Sequence, residues 1–248
     1  MIIIDMRFCD IFFIFLLSSC ASTWYAPSDF LYFPIKSGDF DIVTYQRLSD
    51  SASPIHIYIE GDGYAFDKNG LPTTNPSPRG TFLRDLATND VSPNVVYMAR
   101  PCQYIMSSTC DRSDWTDGRF SSRIIDSVSA AIKSIAGDRP MILIGYSGGA
   151  MVSGLVINQN PNLNVKKWIT IAGVLNHSDW TEYFGDMPLT ASQDMDALPR
   201  IPQMHYVAER DKTVPVLLSQ RWTGGQNMTV IPNATHNKFP NFNIDFSY

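Results

Sequence analysis

The hydrophobic positions of this chain fall into short continuous runs, separated by longer stretches in which they recur at helical spacing. Residues 54–60 (PIHIYIE), 94–100 (NVVYMAR), 141–144 (MILI), 167–172 (KWITIA), 203–207 (QMHYV) and 228–231 (MTVI) read as strands. They are short and rich in β-branched and aromatic side chains, and unbroken apolar runs of this kind mark strands buried on both faces. Residues 39–48 (DFDIVTYQRL) alternate instead, which predicts one early strand near a sheet edge. Between the runs, Ile124, Ile125, Val128, Ile132 and Ile135 repeat at helical spacing over 119–136, and shorter helices are expected at 81–88 and at 214–222. Residues 67–78, dense in Asn, Pro and Gly, form a loop. Strand and helix alternate throughout, so the expected fold class is α/β: a doubly wound, mostly parallel sheet in one domain over 38–248.

The 248 residues, 44% of them hydrophobic, are enough for a sizeable core. A net charge of −5 with no basic run gives nucleic-acid binding no footing. The N-terminus reads differently from the rest. Residues 11–17 (IFFIFLL) are too short to span a bilayer but suit the apolar core of a signal peptide, here 1–20. The run ends in Leu17-Ser18-Ser19-Cys20, which resembles the bacterial lipobox; by that resemblance Cys20 becomes lipid-modified and N-terminal, and several acyl chains on one residue make a stable membrane anchor. Asp5 and Asp10 flank Arg7 ahead of this run, and translation from Met6 gives a more conventional leader. Ala21 after the cysteine resembles outer-membrane sorting in a Gram-negative source. Residues 21–37 are then a tether or lead-in. Export leaves Cys102 and Cys110 as the mature pair, expected to close a local disulfide, with two buried free thiols as the alternative.

Directly after the 141–144 run comes Gly145-Tyr146-Ser147-Gly148-Gly149, a G-x-S-x-G pattern followed by a helix of small residues. In a strand–turn–helix context the serine occupies a sharp, strained turn that exposes its hydroxyl above the sheet. Glycines on either side let strand and helix approach closely. A serine hydroxyl is a weak nucleophile until a neighbouring base takes its proton. Four histidines are available: His56 opens a strand and His205 lies within one, His177 could line a pocket, and His236 follows the last strand.

The order Ser147, Asp211, His236 resembles the α/β-hydrolase superfamily, whose nucleophile, acid and base follow in that order. The resemblance covers essentially the whole mature chain. It implies that Ser147 is the nucleophile, that His236 in Asn233-Ala234-Thr235-His236 is the base, and that Asp211 in Asp-x-x-Val-Pro is the acid that orients it. Glu209 is the local rival for the acid, with Asp194 and Asp196 more distant ones. Arg100-Pro101-Cys102-Gln103-Tyr104, Trp115-Thr116 and Pro188-Leu189 are similar to poorly characterised bacterial members.

A tetrahedral intermediate also needs N–H donors for its oxyanion. By the same resemblance one is the N–H of Gly148, and the second comes from the turn after the 54–60 strand, at Asp62 or, one residue on, Gly63. The Asp62 side chain is expected to turn away and cap that turn. Relatives insert a cap at about 174–200; here it is short, and Trp180, Tyr183, Phe184, Met187 and Leu189 either line an acyl pocket or pack as ordinary core. No metal-ligand spacing, dinucleotide fingerprint or phosphate loop is present, so neither a metal nor a cofactor is expected.

The leading expectation is a serine hydrolase acting on small ester or thioester substrates through an acyl-enzyme, anchored in the cell envelope. A peptidase or amidase with the same triad is the rival enzyme, and a non-catalytic surface lipoprotein on a hydrolase scaffold is the alternative from another class. The oligomeric state is left open.

Overall fold

Eight strands form a sheet in the order β1-β4-β6-β5-β7-β8-β9-β10 in this computed structural model, which describes residues 26–248. The strands are β1 (Leu31–Tyr32), β4 (Thr44–Leu48), β5 (Ile55–Ile59), β6 (Asn94–Met98), β7 (Met141–Tyr146), β8 (Val165–Ile171), β9 (Gln203–Ala208) and β10 (Met228–Ile231). The six from β5 to β10 pair in parallel, while β1 and β4 are antiparallel at one side. Helices α1 (Phe82–Asn89), α2 (Ser122–Ala136), α3 (Gly148–Gln159), α4 (His177–Phe184) and α5 (Val216–Thr223) connect them. The signal segment, Cys20 and the first residues of the lead-in lie outside the described residues. No helix among the described residues is long and apolar enough to cross a membrane.

The parallel strands β5 to β9 are buried over most of their length, as their unbroken apolar runs imply, whereas β10 is at the sheet edge and leaves Thr229 and Val230 exposed. In β5, Ile55, Ile57 and Ile59 enter one core cluster with residues of α2 and α3, while Tyr58 enters the opposite one beneath α1. That second face is completed by the end of the chain, not by a second long helix. Phe239, Phe242, Ile244 and Phe246 pack against it, Phe246 stacking 4.1 Å from His56. The buried Lys167 ammonium donates to the carbonyls of Asp245 and Ser247, which gives this buried charge hydrogen-bond partners.

Two expectations change. The alternating run at 39–48 is two strands: β3 (Phe40–Ile42) pairs with β2 (Ile35–Ser37) in a separate hairpin, and β4 joins the main sheet between β1 and β6. The split falls at buried Val43, whose carbonyl accepts the Ala99 N–H just past β6. Alternation specifies extended backbone but not the partner strand. The lead-in at 21–37 is accordingly not all tether, since Leu31–Tyr32 and Ile35–Ser37 are strands.

The chain runs from β5 to β6 on one side and then crosses to β7 on the other. The loops after β5 and β7 therefore diverge, and a crevice opens between the C-terminal ends of these strands, the usual ligand position in an open parallel sheet.

Candidate active site

Ser147 occupies the turn between β7 and α3 with φ +51° and ψ −124°, a conformation that side-chain-bearing residues rarely adopt. Its neighbours enforce it. A Cβ on Gly145 would lie 2.5 Å from the Ala150 Cα, and one on Gly149 would lie 2.3 Å from the Ile59 carbonyl oxygen, so α3 approaches β5 and β7 only where these side chains are missing. Backbone bonds lock the turn: the Ser147 N–H donates to Ile171 O at 3.0 Å, and the Val174 N–H donates to Ser147 O at 3.0 Å. The first ten residues of α3 are all buried, which explains its small and apolar composition.

Three side chains from separate loops meet here. His236 Nε2 is 3.0 Å from Ser147 Oγ, and His236 Nδ1 is 2.8 Å from Asp211 Oδ2. The Asp211 side chain is fully buried, and its other oxygen accepts the N–H groups of Thr213 (2.8 Å) and Val214 (2.9 Å). With both oxygens engaged, the carboxylate is fixed in orientation and holds the proton of a neutral imidazole on Nδ1, leaving Nε2 free to accept from the serine. The rival carboxylates do other work. Glu209 accepts the Asn233 N–H at 2.7 Å and braces the loop that carries His236, while Asp194 accepts the N–H groups of His177 and Ser178 at the start of α4. Asp196 is exposed.

The remaining histidines lie apart from this relay. His56 pairs with Asp90 at 2.7 Å. His205 is wedged between Thr170 and Gln203, and burial lowers its pKa to about 4. His177 is buried on the wall of the cavity above Ser147, its pKa lowered by burial, with neither ring nitrogen hydrogen-bonded among the described residues.

The turn after β5 lies against the serine turn: a Cβ on Gly61 would come within 3.0 Å of Ser147 Cβ. Glu60 folds back so that Oε1 accepts the Gly61 N–H (2.9 Å) and Oε2 accepts from the Tyr97 hydroxyl (2.8 Å); burial raises its pKa. The Tyr64 N–H donates to Pro76 O. Among the described residues the N–H groups of Asp62, Gly63 and Gly148 have no acceptor, and the hydrogen bonds do not distinguish Asp62 from Gly63. Gly63 has φ +66° and sits so close to Pro76 O that a Cβ would lie 2.1 Å away, which is why this position lacks a side chain.

The Asp62 side chain does not cap its turn. It reaches Arg100, whose guanidinium is 2.7 Å away, and Arg119, whose Nε is 3.3 Å away. The loop after β6 supports the same turn. Gln103 donates to Gly61 O at 2.9 Å and accepts the Arg100 N–H at 3.0 Å, and Cys102 beside it is disulfide-bonded to Cys110. The Arg100-Pro101-Cys102-Gln103 stretch thus buttresses the backbone facing Ser147. No motif pointed to the Arg119–Asp62 contact, because the two residues lie in loops far apart in sequence.

Above these groups opens a cavity of about 440 Å³. Phe66, Phe82, Leu83 and Val174 supply apolar wall. Of the five cap residues considered, only Trp180 lines the cavity, its indole donating to Thr213 O at 2.7 Å. Tyr183, Phe184 and Met187 are exposed, and Leu189 packs at the edge of the core. Tyr183 and Phe184 end α4, and Met187 lies past its end at Gly185. Among the described residues no group of His, Cys, Asp or Glu side chains is arranged as metal ligands.

No protein-family model matches the chain, and no curated protein is significantly similar in sequence. Solved structures are similar in fold. A CIB-like hydrolase from Thermoplasma acidophilum aligns with TM-score 0.57 at 18% identity, over 84% of this chain and 88% of its own. An α/β serine hydrolase without a lid from Xanthomonas campestris gives 0.52 at 14%, over 86% and 88%, and a thioesterase domain from the curacin biosynthetic pathway gives 0.54 at 12%, over 84% and 94%. The chain has the α/β-hydrolase fold.

Proposed function

We propose that this protein is a serine hydrolase that cleaves a carboxylic ester or thioester through an acyl-enzyme. The observation that carries this reading is the unbroken relay from Ser147 Oγ to His236 Nε2 (3.0 Å) and from His236 Nδ1 to Asp211 (2.8 Å), set at the floor of a mainly apolar cavity. Esterase-like, lipase-like and thioesterase neighbours of the same fold agree with it. Ser147 Oγ attacks the substrate carbonyl carbon as its proton passes to His236. The N–H group of Gly148 and that of Asp62 or Gly63 bind the resulting oxyanion. Collapse breaks the bond to the leaving group, which takes the proton from His236. Water, deprotonated by His236, then releases the acid and restores Ser147.

Labelling with a fluorophosphonate probe tests the reading. One adduct is expected on Ser147, absent from Ser147→Ala, with turnover of 4-nitrophenyl esters; an amide series measures the peptidase alternative in the same assay. A native protein that is unlabelled and turns over neither series overturns it.

The proposal extends to location. The lipobox-like Cys20 and a disulfide between Cys102 and Cys110, which favours an oxidising compartment, support an exported, lipid-anchored enzyme of the cell envelope. Metabolic labelling with a palmitate analogue, abolished by Cys20→Ala, is the expected result; no label on the native protein removes the anchor from the proposal.

A further inference from the structure

The cavity above Ser147 holds in its wall a buried guanidinium with an unused donor. Its ionisable lining consists of Glu60, Asp62, Arg79, Arg119, His177 and His236. Glu60 is withdrawn, both oxygens accepting hydrogen bonds from Gly61 and Tyr97. Asp62 is shared between two guanidinium groups, Arg100 behind it at 2.7 Å and Arg119 at 3.3 Å, so one carboxylate faces two cations. Arg79, exposed at the rim, lies 3.2 Å from the Tyr64 ring centroid.

Arg119 is only 4% exposed. One terminal nitrogen donates to Thr116 O at 3.3 Å and Nε faces an Asp62 oxygen at 3.3 Å, while the second terminal nitrogen has no acceptor among the described residues. The rings of Phe66, Phe120 and Trp180 lie 5.6 to 5.8 Å from the guanidinium carbon. A buried guanidinium with one terminal nitrogen unpaired on the cavity wall is better satisfied when a ligand oxygen completes it. A planar guanidinium matches a carboxylate or other oxyanion better than a neutral carbonyl.

We propose that the substrate is an ester or thioester bearing a second, negatively charged oxyanion group, simplest as a carboxylate, which binds Arg119 inside the cavity with Arg79 at its mouth. This rests on the serine-hydrolase reading above and adds the substrate class. Arg119 is a specificity residue here, while the bond-breaking chemistry stays with Ser147.

Two matched pairs of chromogenic esters test the proposal on the intact mature protein. In the first, the acyl part carries the charge: mono-4-nitrophenyl glutarate against 4-nitrophenyl pentanoate. In the second the leaving group carries it: 3-carboxy-4-nitrophenyl acetate against 4-nitrophenyl acetate. In at least one pair the anionic ester is expected to show a kcat/KM about tenfold or more above its neutral partner, the scale of a charge-assisted hydrogen bond. Arg119→Gln is expected to reduce that ratio toward one, mainly through KM. Should Arg119→Gln fail to fold, Arg79→Gln at the exposed rim is expected to lower the same ratio several-fold. Neutral esters preferred in both pairs, or a ratio that neither variant changes, overturns the proposal. A protein labelled at Ser147 yet indifferent to charge loses only this inference; one that is neither labelled nor active loses the hydrolase reading as well.

Discussion

The carboxylate of Asp62 and the guanidinium of Arg100 meet at 2.7 Å, directly over the Cα of Gly148, where a Cβ would lie 2.1 Å from an Asp62 oxygen. A carboxylate this close to the proposed oxyanion donors would repel developing negative charge if it were uncompensated. Arg100, buried and with its pKa lowered by that burial, neutralises it and also donates to the Arg119 carbonyl.

Removing that cation is therefore expected to damage both fold and rate. Arg100→Met should lower kcat/KM for a neutral ester by roughly 100-fold, about the effect of losing an oxyanion donor. It should also cost about 1–2 kcal/mol in urea unfolding, because the partly exposed Asp62 carboxylate then keeps only Arg119 as its partner. Adding Asp62→Asn is expected to restore part of each; additive losses in the double variant would show that the pair does not act as a unit.

The strain at Ser147 gives a stability prediction of opposite sign. Its φ of +51° is free to glycine and unfavourable to serine. Ser147→Gly is expected to abolish probe labelling while raising unfolding stability by about 1 kcal/mol. Gly149→Ala, pressed against Ile59 O, is expected to leave little soluble protein.

Asp211 and Glu209 are neighbours that the sequence does not rank by geometry, and their variants should separate sharply. Asp211→Asn is expected to reduce kcat by about 10⁴-fold, because the imidazole loses its oriented tautomer. Glu209→Gln keeps an oxygen for the Asn233 N–H and loses only a charge paired with Arg210 at 3.8 Å, so a loss of about 1 kcal/mol or less in stability and a small change in kcat are expected. Steady-state kinetics on both variants decides.

His205 makes stability depend on pH. Burial lowers its pKa from 6.5 to about 4, so between those values the unfolded chain binds a proton that the folded protein does not. Stability is thus full above pH 6.5 and falls as pH drops toward 4, by up to about 3 kcal/mol. The buried His177 shifts in the same direction. Urea midpoints across this window should show the slope, and His205→Gln should flatten it.

The disulfide closes the loop that supplies Gln103 to the turn facing Ser147. Cys110→Ser with Cys102→Ser is expected to cost about 2–3 kcal/mol in the chain-entropy model, and to lower kcat more than it raises KM. Equilibrium unfolding and ester kinetics measure the two effects together.

By itself the sequence determined what local chemistry encodes. The unbroken apolar runs of β5 to β9 specify buried strands, and the spacing from Ile124 to Ile135 specifies α2. Gly145 and Gly149 specify a sharp turn because any side chain there would collide with neighbouring backbone or side-chain atoms. The sequential order of Ser147, Asp211 and His236 was also legible, since each follows the end of a strand. Tertiary structure alone decided which groups share a charge or a wall. It divided 39–48 between two sheets at Val43, set Trp180 in the cavity while leaving Tyr183 and Met187 in solvent, and drew the C-terminal aromatics across an open sheet face. It also brought Arg100 and Arg119 to one carboxylate on Asp62. Periodicity and steric exclusion act between near neighbours in the chain. The partner of a buried charge depends instead on how distant loops close over the strand ends.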